Sequence, residues 1–246
     1  MSQVEVQFLG TGDAFGSGGR FNTCFYVHSK EINFLIDCGA SSLIAMKRFG
    51  VDPSLVDIIL FSHLHGDHFG GLPFFILDAQ FSRRSRPLVI AGPPGVETRV
   101  REAMEVLFPG SSKVQQRFNI EFIELKERNE AIIGPLSVIP YSVIHPSGAP
   151  SHALRINCKG KLIGYSADTE WTDILIEVAR GADLFICEAY YFEKKMKYHL
   201  DYQTLVNHQT QLGCRKIILT HMSDDMLNRL QGIDIERAED GKSIVL

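Results

Sequence analysis

The sequence has no long apolar run, no closely spaced pair of cysteines and no large excess of charge of either sign. No apolar stretch approaches the about 20 residues of a membrane-spanning helix, and the start has no basic-then-apolar signal. A net charge of −4 gives no general attraction to phosphate backbones. The cysteines are scattered and indicate buried thiols in a reducing compartment, and they are Cys24, Cys38, Cys158, Cys187 and Cys214. We therefore expect a soluble, cytoplasmic protein.

No stretch has the composition of a linker, and no short repeat is present. With 246 residues, 45% of them hydrophobic, we expect a single domain over residues 1–246. Short apolar runs predict strands at Val4–Leu9, Cys24–His28, Asn33–Asp37, Ile58–Phe61, Leu88–Ala91, Glu121–Leu125, Leu136–Ser142, Ala153–Asn157, Lys161–Tyr165, Leu184–Cys187 and Lys216–Leu219. Helical spacing predicts helices at Ser42–Phe49, Val96–Phe108, Asp173–Ala179 and Tyr202–Leu212. This order favours an α+β fold in which helices cover sheets.

One six-residue segment, HLHGDH, contains three imidazoles and one carboxylate. Residues two apart in an extended chain point the same way, so His63 and His65 can reach one ion. A turn at Gly66 lets Asp67 and His68 face the same space. Imidazole combined with carboxylate is ligation typical of zinc, and it also suits manganese or iron. The alternative, polar loop residues or satisfied buried histidines, suits a lone histidine better than a cluster of three.

Further ligand-type residues follow strand-like runs elsewhere in the chain. Loops at a shared sheet edge commonly converge on one site, so we expect these residues to join the cluster. Two metals, each with three protein ligands, and one bridging carboxylate would use the whole set, namely His63, His65, His145, Asp67, His68, His221 and Asp168. The alternatives are core positions for the two separate histidines and a helix cap or turn for the second aspartate.

The chain resembles the metallo-β-lactamase fold superfamily. The HxHxDH pattern of that superfamily matches the six-residue segment, and its downstream His, Asp and His match His145, Asp168 and His221 in order. The resemblance implies a four-layer αββα sandwich, two mixed β-sheets flanked by helices, with a dinuclear site at one sheet edge. It also implies a role for each ligand: one metal is held by His63, His65 and His145, the other by Asp67, His68 and His221, and Asp168 bridges them.

Shorter motifs resemble the ribonuclease Z and cyclic-phosphodiesterase branch of the superfamily, and they are Phe8–Gly12, Leu35–Gly39, Ala91–Gly95 and Leu219–Ser223. Glu188 and His199 match a pair in this branch whose histidine gives a proton to the leaving oxygen. A carboxylate partner orients an imidazole and raises its pKa, which suits an acid near neutral pH. The catalytic candidates are therefore Asp67, Glu188 and His199. The alternative for His199 is a surface loop position.

The sequence departs from ribonuclease Z in one respect. The glycine- and proline-rich arm with which that enzyme grips transfer RNA has no counterpart between His145 and Asp168, which are only 23 positions apart (168 − 145). Some small phosphodiesterases carry an extra cysteine-rich zinc site near the opening glycines, where this chain has only Cys24. The missing arm argues against processing of transfer RNA and favours a smaller substrate.

These patterns predict a metal-dependent hydrolase with two divalent metal ions, zinc by preference and manganese or iron as alternatives. A hydroxide between the metals would attack phosphorus while His199, oriented by Glu188, protonates the leaving group. The substrate would be a small cyclic phosphodiester, a nucleotide or an RNA end, and a homodimer is expected from the branch. The alternatives are a carbonyl hydrolase acting on a lactone, thioester or β-lactam, and a binding protein with a structural metal.

Three further features of the sequence remain to be assigned. Asp37 is a candidate to orient a ligand imidazole through a hydrogen bond to its second nitrogen, and the alternative is an aspartate that caps a turn at the end of a strand. His152 is close in sequence to His145, but we expect it to be a polar loop residue. The glycine-rich segment Gly10–Gly19 resembles a phosphate-binding loop; because no convincing helix follows it, we expect a turn near the metal edge.

Overall fold

The computed structural model describes residues 3–229 and 231–246. Strands β1 to β14 are Glu5–Gly10, Cys24–His28, Asn33–Ile36, Ile58–Leu60, Leu88–Gly92, Ile120–Glu124, Ala131–Ile133, Leu136–Ser142, His152–Cys158, Lys161–Tyr165, Leu184–Glu188, Ile217–Thr220, Glu236–Arg237 and Ser243–Val245. Helices α1 to α7 are Ser42–Arg48, Gly66–Phe69, Leu72–Phe81, Val96–Leu107, Ile174–Ala179, Tyr202–Leu212 and Asp224–Leu227. Within these described ranges, no helix combines the length and apolar character needed to cross a bilayer.

The strands form two mixed sheets of seven strands each. The first sheet has the order β14-β1-β2-β3-β4-β5-β6, and the second has the order β13-β12-β11-β10-β9-β8-β7. In the second sheet, β10, β11 and β12 are parallel, and β8 and β10 both pair antiparallel with β9. Strand β8 therefore runs in the same direction as β10, β11 and β12. Because of this shared direction, the carboxyl ends of all four strands lie at one edge of the sheet.

Apolar side chains divide the molecule into layers. Alternate residues of a strand face opposite sides of a sheet, and Leu154, Ile156 and Cys158 of β9 belong to the buried core between the two sheets. A second core packs α1, α3 and α4 on the outer face of the first sheet, and a third packs α5 and α6 on the second sheet. Helices thus cover both outer faces, as the expected αββα sandwich requires.

The α+β fold class is confirmed, and every predicted strand and helix has ends within one residue of the observed ends. The largest omission is α3, Leu72–Phe81. Its residues Leu72, Pro73, Phe75, Ile76 and Ala79 are buried around much of the helix, so the segment lacks the one-sided apolar pattern by which a surface helix is recognised. The very short strands β7, β13 and β14 were also not predicted, because two or three residues are too few to show a period.

Candidate metal centre

The structure brings all seven predicted ligand residues to one edge of the two sheets. Their ligand-type atoms form two groups, within each of which the atoms lie within 4.8 Å of one another, and the groups are His63, His65 and His145, and Asp67, His68, Asp168 and His221. In the first group, His145 Nε2 lies 3.0 Å from His65 Nδ1. Two imidazole nitrogens at this separation suit joint ligation of one cation.

One oxygen of Asp168, a member of the second group, also lies close to the first group. Asp168 Oδ2 is 3.3 Å from Nε2 of His68 and 3.3 Å from Nε2 of His221. The same oxygen is 4.0 Å from His63 Nε2 and 3.9 Å from His145 Nε2. A single carboxylate oxygen therefore faces imidazoles of both groups, which is the position that a ligand shared by two ions must occupy.

The residues that follow β3 pack against the turn of the HLHGDH segment and hold it in place. His65 is extended, with φ −77° and ψ 152°, and α2 begins directly after it, so Asp67 and His68 lie in its single turn. The backbone N–H of Cys38 donates to the carbonyl oxygen of His68 at 2.6 Å. A Cβ at Gly39 would lie only 2.0 Å from the carbonyl oxygen of Asp67. The close approach of these two segments therefore requires glycine at position 39.

Just after three of the strands that lead to the site, one residue adopts the left-handed backbone conformation. The φ angles are 57° at Asp37 after β3, 55° at Ala167 after β10, and 53° at His221 after β12. Residues other than glycine seldom adopt this conformation, and such positions cluster at functional sites. Each sharp turn keeps a polar side chain at the sheet edge, either on the turning residue or, for Ala167, on the next residue, Asp168.

Asp37 supports His68 from behind, as the sequence suggested. Asp37 Oδ2 accepts hydrogen bonds from His68 Nδ1 at 2.8 Å, Ser62 Oγ at 2.8 Å and Tyr165 Oη at 3.0 Å. Asp37 Oδ1 accepts from the backbone N–H of Ser62 at 2.8 Å. All four residues are buried. Since the carboxylate only accepts, His68 Nδ1 carries the proton and Nε2 remains for a cation. The sequence did not predict that Ser62 and Tyr165 take part in the site. Ser62 directly follows one predicted strand, and Tyr165 is the last residue of another.

Charge inside the cluster is balanced between carboxylates and imidazoles. Burial favours the neutral form of Asp168, but the imidazoles of His221 and His68 outweigh burial and hold the pKa of that carboxyl well below its ordinary value. Burial lowers the pKa of His221, yet the charge of Asp168 and the hydrogen bond to Asp67 raise it to about 9. Burial lowers the pKa of His63 well below its ordinary value, so this imidazole stays neutral and its lone pair is available.

Several buried polar atoms of the cluster have no hydrogen-bond partner within the described ranges, and they are His63 Nε2, His68 Nε2, Asp168 Oδ1 and His221 Nδ1. Buried polar atoms are normally satisfied, so a concentration of exceptions needs an explanation. Five imidazoles and two carboxylates are the donor set of zinc, manganese or iron sites. The residues present therefore fit a pair of divalent cations.

Glu188 and His199 form the predicted pair beside the cluster. His199 Nδ1 lies 3.0 Å from Glu188 Oε2, and the other carboxylate oxygen accepts from the backbone N–H groups of Thr169 and Leu200. Burial lowers the pKa of His199, but its hydrogen bond to Glu188 and the charge of that carboxylate outweigh burial and raise the pKa above its ordinary value. His199 is therefore an oriented imidazole and not a free surface histidine.

Two tyrosines contact His199 and the residues around it. The ring of Tyr190 stacks on His199 with centroids 4.7 Å apart. Tyr198 has φ 71°, its N–H donates to Glu170 Oε1 at 2.9 Å, and its carbonyl oxygen accepts from His145 Nδ1 at 2.9 Å. The backbone of Tyr198 thus orients a predicted ligand. Sequence reasoning missed this contact because a main-chain hydrogen bond leaves no residue signature.

The structure also shows where His152 and the glycine-rich segment lie. His152 is buried as the first residue of β9, and its N–H donates to the carbonyl oxygen of Ser62 at 3.0 Å. The expectation of a polar loop residue was therefore wrong, because β9 begins one residue earlier than predicted. The segment Gly10–Gly19 lies beside the site, where the carbonyl oxygen of Thr11 accepts from the N–H of His221 at 3.1 Å.

Comparison with known proteins identifies the family. The family model described as "Anti-Pycsar protein Apyc1" matches residues 4–237. The chain belongs to the anti-Pycsar protein Apyc1 family. It is 28% identical to the protein of that name from Paenibacillus sp. (strain J14), over 91% of each chain.

Two further similarities support the predicted branch. The chain is 28% identical to ribonuclease Z of Agathobacter rectalis, an alignment that covers 99% of this chain and 98% of the relative. The crystal structure of YhfI from Bacillus subtilis, a metallo-β-lactamase fold protein, superposes with a TM-score of 0.81 at 19% identity, over 100% of both chains. The Apyc1 family member thus has the metallo-β-lactamase fold and resembles ribonuclease Z along almost its full length.

Proposed function

We propose that this Apyc1 family member is a dinuclear metal-dependent phosphodiesterase that hydrolyses a small, cyclic phosphodiester or a nucleotide. One observation carries the proposal: Asp168 Oδ2 faces imidazoles of both groups of ligand-type side chains, and the Glu188–His199 pair lies beside them. The similarity to ribonuclease Z, named for cleavage of RNA, supports phosphodiester chemistry. Neither the family nor this relative favours the carbonyl-hydrolase alternative.

Two divalent cations are the cofactors that this site would hold. His63, His65 and His145 would bind one ion, Asp67, His68 and His221 the other, and Asp168 both. Such ions would supply an activated water near neutral pH and neutralise charge on the phosphate. Asp37 would keep the Nε2 atom of His68 directed at its ion, as its hydrogen bond to Nδ1 requires.

His199 would act as the general acid. Hydrolysis joins a water oxygen to phosphorus and breaks one phosphorus–oxygen bond, so the departing alkoxide needs a proton. The Nδ1 atom of His199 is held by Glu188, which leaves Nε2 as the atom that can deliver that proton. The raised pKa of His199 favours the protonated imidazole, the form that a general acid needs.

The connection between His145 and Asp168 supports a small substrate. It consists of a short turn and the antiparallel pair β9 and β10, so no arm projects from it. The alignment with ribonuclease Z of Agathobacter rectalis spans 303 positions, more than the 246 residues of this chain, so that relative contains segments with no counterpart here. A substrate that needs an additional protein arm is therefore disfavoured.

A turnover assay on the metal-loaded protein tests the function. Bis(p-nitrophenyl) phosphate and a nucleoside 3′,5′-cyclic monophosphate should both be hydrolysed, and activity should disappear in Asp168→Ala. A panel containing a lactone, a thioester and a β-lactam should give no comparable turnover. Hydrolysis confined to that panel would replace the proposal by the carbonyl-hydrolase alternative. Tight metal binding without turnover of any of these compounds would favour a structural metal.

Three finer statements remain predictions that accompany this function. Zinc is the preferred ion because imidazole predominates among the ligands. A homodimer is expected from the resemblance, and size-exclusion chromatography with light scattering would measure the oligomeric state. A cytoplasmic location is expected from the sequence, and cell fractionation would test it.

A further inference from the structure

His221 differs from other predicted ligands in how its ring is held. Its Nδ1 atom is buried and has no hydrogen-bond partner in the described part of the chain, and Glu188 Oε2, at 3.8 Å, is too far away to be one. Three other imidazoles do have a partner within 3.1 Å of Nδ1, and the pairs are His63 with Ser62, His68 with Asp37, and His145 with Tyr198. The orientation of the His221 ring must therefore come from its backbone.

The backbone of His221 is held by Thr11. His221 directly follows β12 and has φ 53°, a conformation that residues other than glycine seldom adopt. Its N–H donates to the carbonyl oxygen of Thr11 at 3.1 Å, and the hydroxyl of Thr220 lies 3.5 Å from the same oxygen. An uncommon backbone conformation persists only where its surroundings impose it, so the position of Thr11 helps to set the direction of the His221 side chain.

Thr11 is held in turn by the carboxylate of Asp240. Asp240 Oδ1 accepts from the N–H of Thr11 at 2.9 Å and from its hydroxyl at 2.8 Å. Asp240 Oδ2 accepts from the N–H of Phe21 at 2.8 Å. Arg20 Nη1 donates to Thr11 Oγ1 at 2.9 Å, so this hydroxyl has both a donor and an acceptor as partners. Thr11 is fully buried, and these bonds define its position.

Asp240 lies where the chain passes from the second sheet to the first. The N–H of Ala238 donates to the carbonyl oxygen of Leu219 in β12 at 2.8 Å. The N–H of Gly241 donates to the carbonyl oxygen of Phe8 in β1 at 2.7 Å. Main-chain hydrogen bonds on both sides of Asp240 therefore fix its carboxylate relative to both sheets.

We propose that Asp240 is a positioning residue for metal binding, which acts through Thr11 to fix the backbone of His221. The proposal rests on the metal centre of the proposed function and does not depend on the substrate or the reaction. It predicts an effect on one ion only. The affected group is Asp67, His68, Asp168 and His221, and the group that should be unaffected is His63, His65 and His145.

Asp240→Asn tests the proposal directly. Asparagine has nearly the size of aspartate but only one accepting oxygen, so its amide group would face the N–H of Thr11 or of Phe21. In a competition between the zinc-loaded protein and a chelator, one of the two ions should be bound about 10-fold or more weakly, as expected when the support behind a ligand is lost. The affinity for the other ion should be unchanged. Melting temperature without metal would be measured in parallel.

Variants of Thr11 give an independent test. Thr11→Val removes the hydroxyl that bonds to Asp240 and should weaken the same ion, whereas Thr11→Ser keeps the hydroxyl and should retain the affinity. A double variant shows whether the effect passes through His221. Asp240→Asn combined with His221→Ala should bind its remaining ion as tightly as His221→Ala alone, because the ligand through which Asp240 acts is already missing.

Asp183→Asn is the matched control. The carboxylate of Asp183 also accepts from a main-chain N–H, that of Leu162, at 2.9 Å, and it lies 2.9 Å from Arg215 Nη1. These residues lie at the amino ends of their strands, at the opposite edge of the sheet from the ligands. Asp183→Asn should lower the melting temperature and leave both metal affinities unchanged.

The outcomes separate positioning from stability and from the function. Equal metal affinities in Asp240→Asn and Asp183→Asn, or equal weakening of both ions in Asp240→Asn, would overturn the proposal. Selective weakening of one ion, in a protein that hydrolyses no diester, would support the positioning role and refute the phosphodiesterase function. An unaltered protein that binds no metal would overturn both.

Discussion

The hydroxyl of Tyr165, at the end of β10 in the second sheet, donates to the carboxylate of Asp37, which follows β3 in the first sheet, at 3.0 Å. Asp37 in turn holds His68 at 2.8 Å. The orientation of a predicted metal ligand therefore depends on a hydrogen bond that crosses the interface between the sheets.

Tyr165→Phe should weaken metal binding about 10-fold or more, because removal of a partner behind a ligand commonly has that effect. Affinity would be measured by competition with a chelator, and melting temperature in the absence of metal would be followed in parallel. Tyr202→Phe is the matched control: Tyr202 is also buried, and its hydroxyl accepts from the N–H of Asp234 at 3.0 Å, away from the cluster. Equal metal affinity in the two variants would limit Tyr165 to a role in stability.

His199→Ala should affect substrates according to their leaving groups. A ribose alkoxide needs a proton, so kcat for a nucleoside cyclic phosphate should fall about 100-fold or more. A p-nitrophenolate leaves without protonation, so bis(p-nitrophenyl) phosphate should be affected by a few-fold only. His28→Ala, a histidine on β2 that lies 3.6 Å from Glu5, is the control and should leave both rates unchanged. Equal losses on both substrates would contradict the role of general acid.

Glu188→Gln should shift the pH dependence of kcat. The carboxylate raises the pKa of His199 against the opposing effect of burial, so an amide at this position should lower that pKa. A general acid loses activity as pH rises through its pKa, so the alkaline decline should move to lower pH in the variant. A pH–rate profile on a nucleoside cyclic phosphate measures the shift. An alkaline decline that stays in place would show that another group supplies the proton.

Elemental analysis should find two metal ions per chain. Loss of His221 removes a ligand of the second group and none of the first, so His221→Ala should retain about one ion. Exhaustive removal of metal by a chelator should abolish turnover, and added zinc or manganese should restore it. A consistent count of one ion in the unaltered protein would contradict the bridging position assigned to Asp168.

The sequence was informative wherever a regular period or a dense motif was present. Short apolar runs predicted strands such as Leu136–Ser142 and Lys161–Tyr165 with their observed bounds, and the HLHGDH segment pointed to the edge of the sheets where the ligand-type side chains meet. The helix Leu72–Phe81 was not predicted, because burial on several of its sides hides the helical period of apolar residues.

The contacts behind the ligands were harder to predict for a different reason. Tyr165 and Asp37 are 128 positions apart in sequence, and only the packing of one sheet on the other brings them together. A hydroxyl at a strand end has no local pattern that identifies its distant partner. The contact between Glu188 at the end of β11 and His199 before α6 likewise depends on how the chain between them folds back.

Tyr198 joins the two halves of the site through its main chain. Its N–H donates to Glu170 Oε1, and its carbonyl oxygen accepts a hydrogen bond from Nδ1 of His145, one of the predicted ligands. A ligand that moves Glu170 would shift the same peptide segment that orients His145, so binding of that ligand and metal affinity should be thermodynamically linked. Because the linkage runs through backbone atoms, side-chain replacement at position 198 would preserve it as long as the new residue tolerates a positive φ.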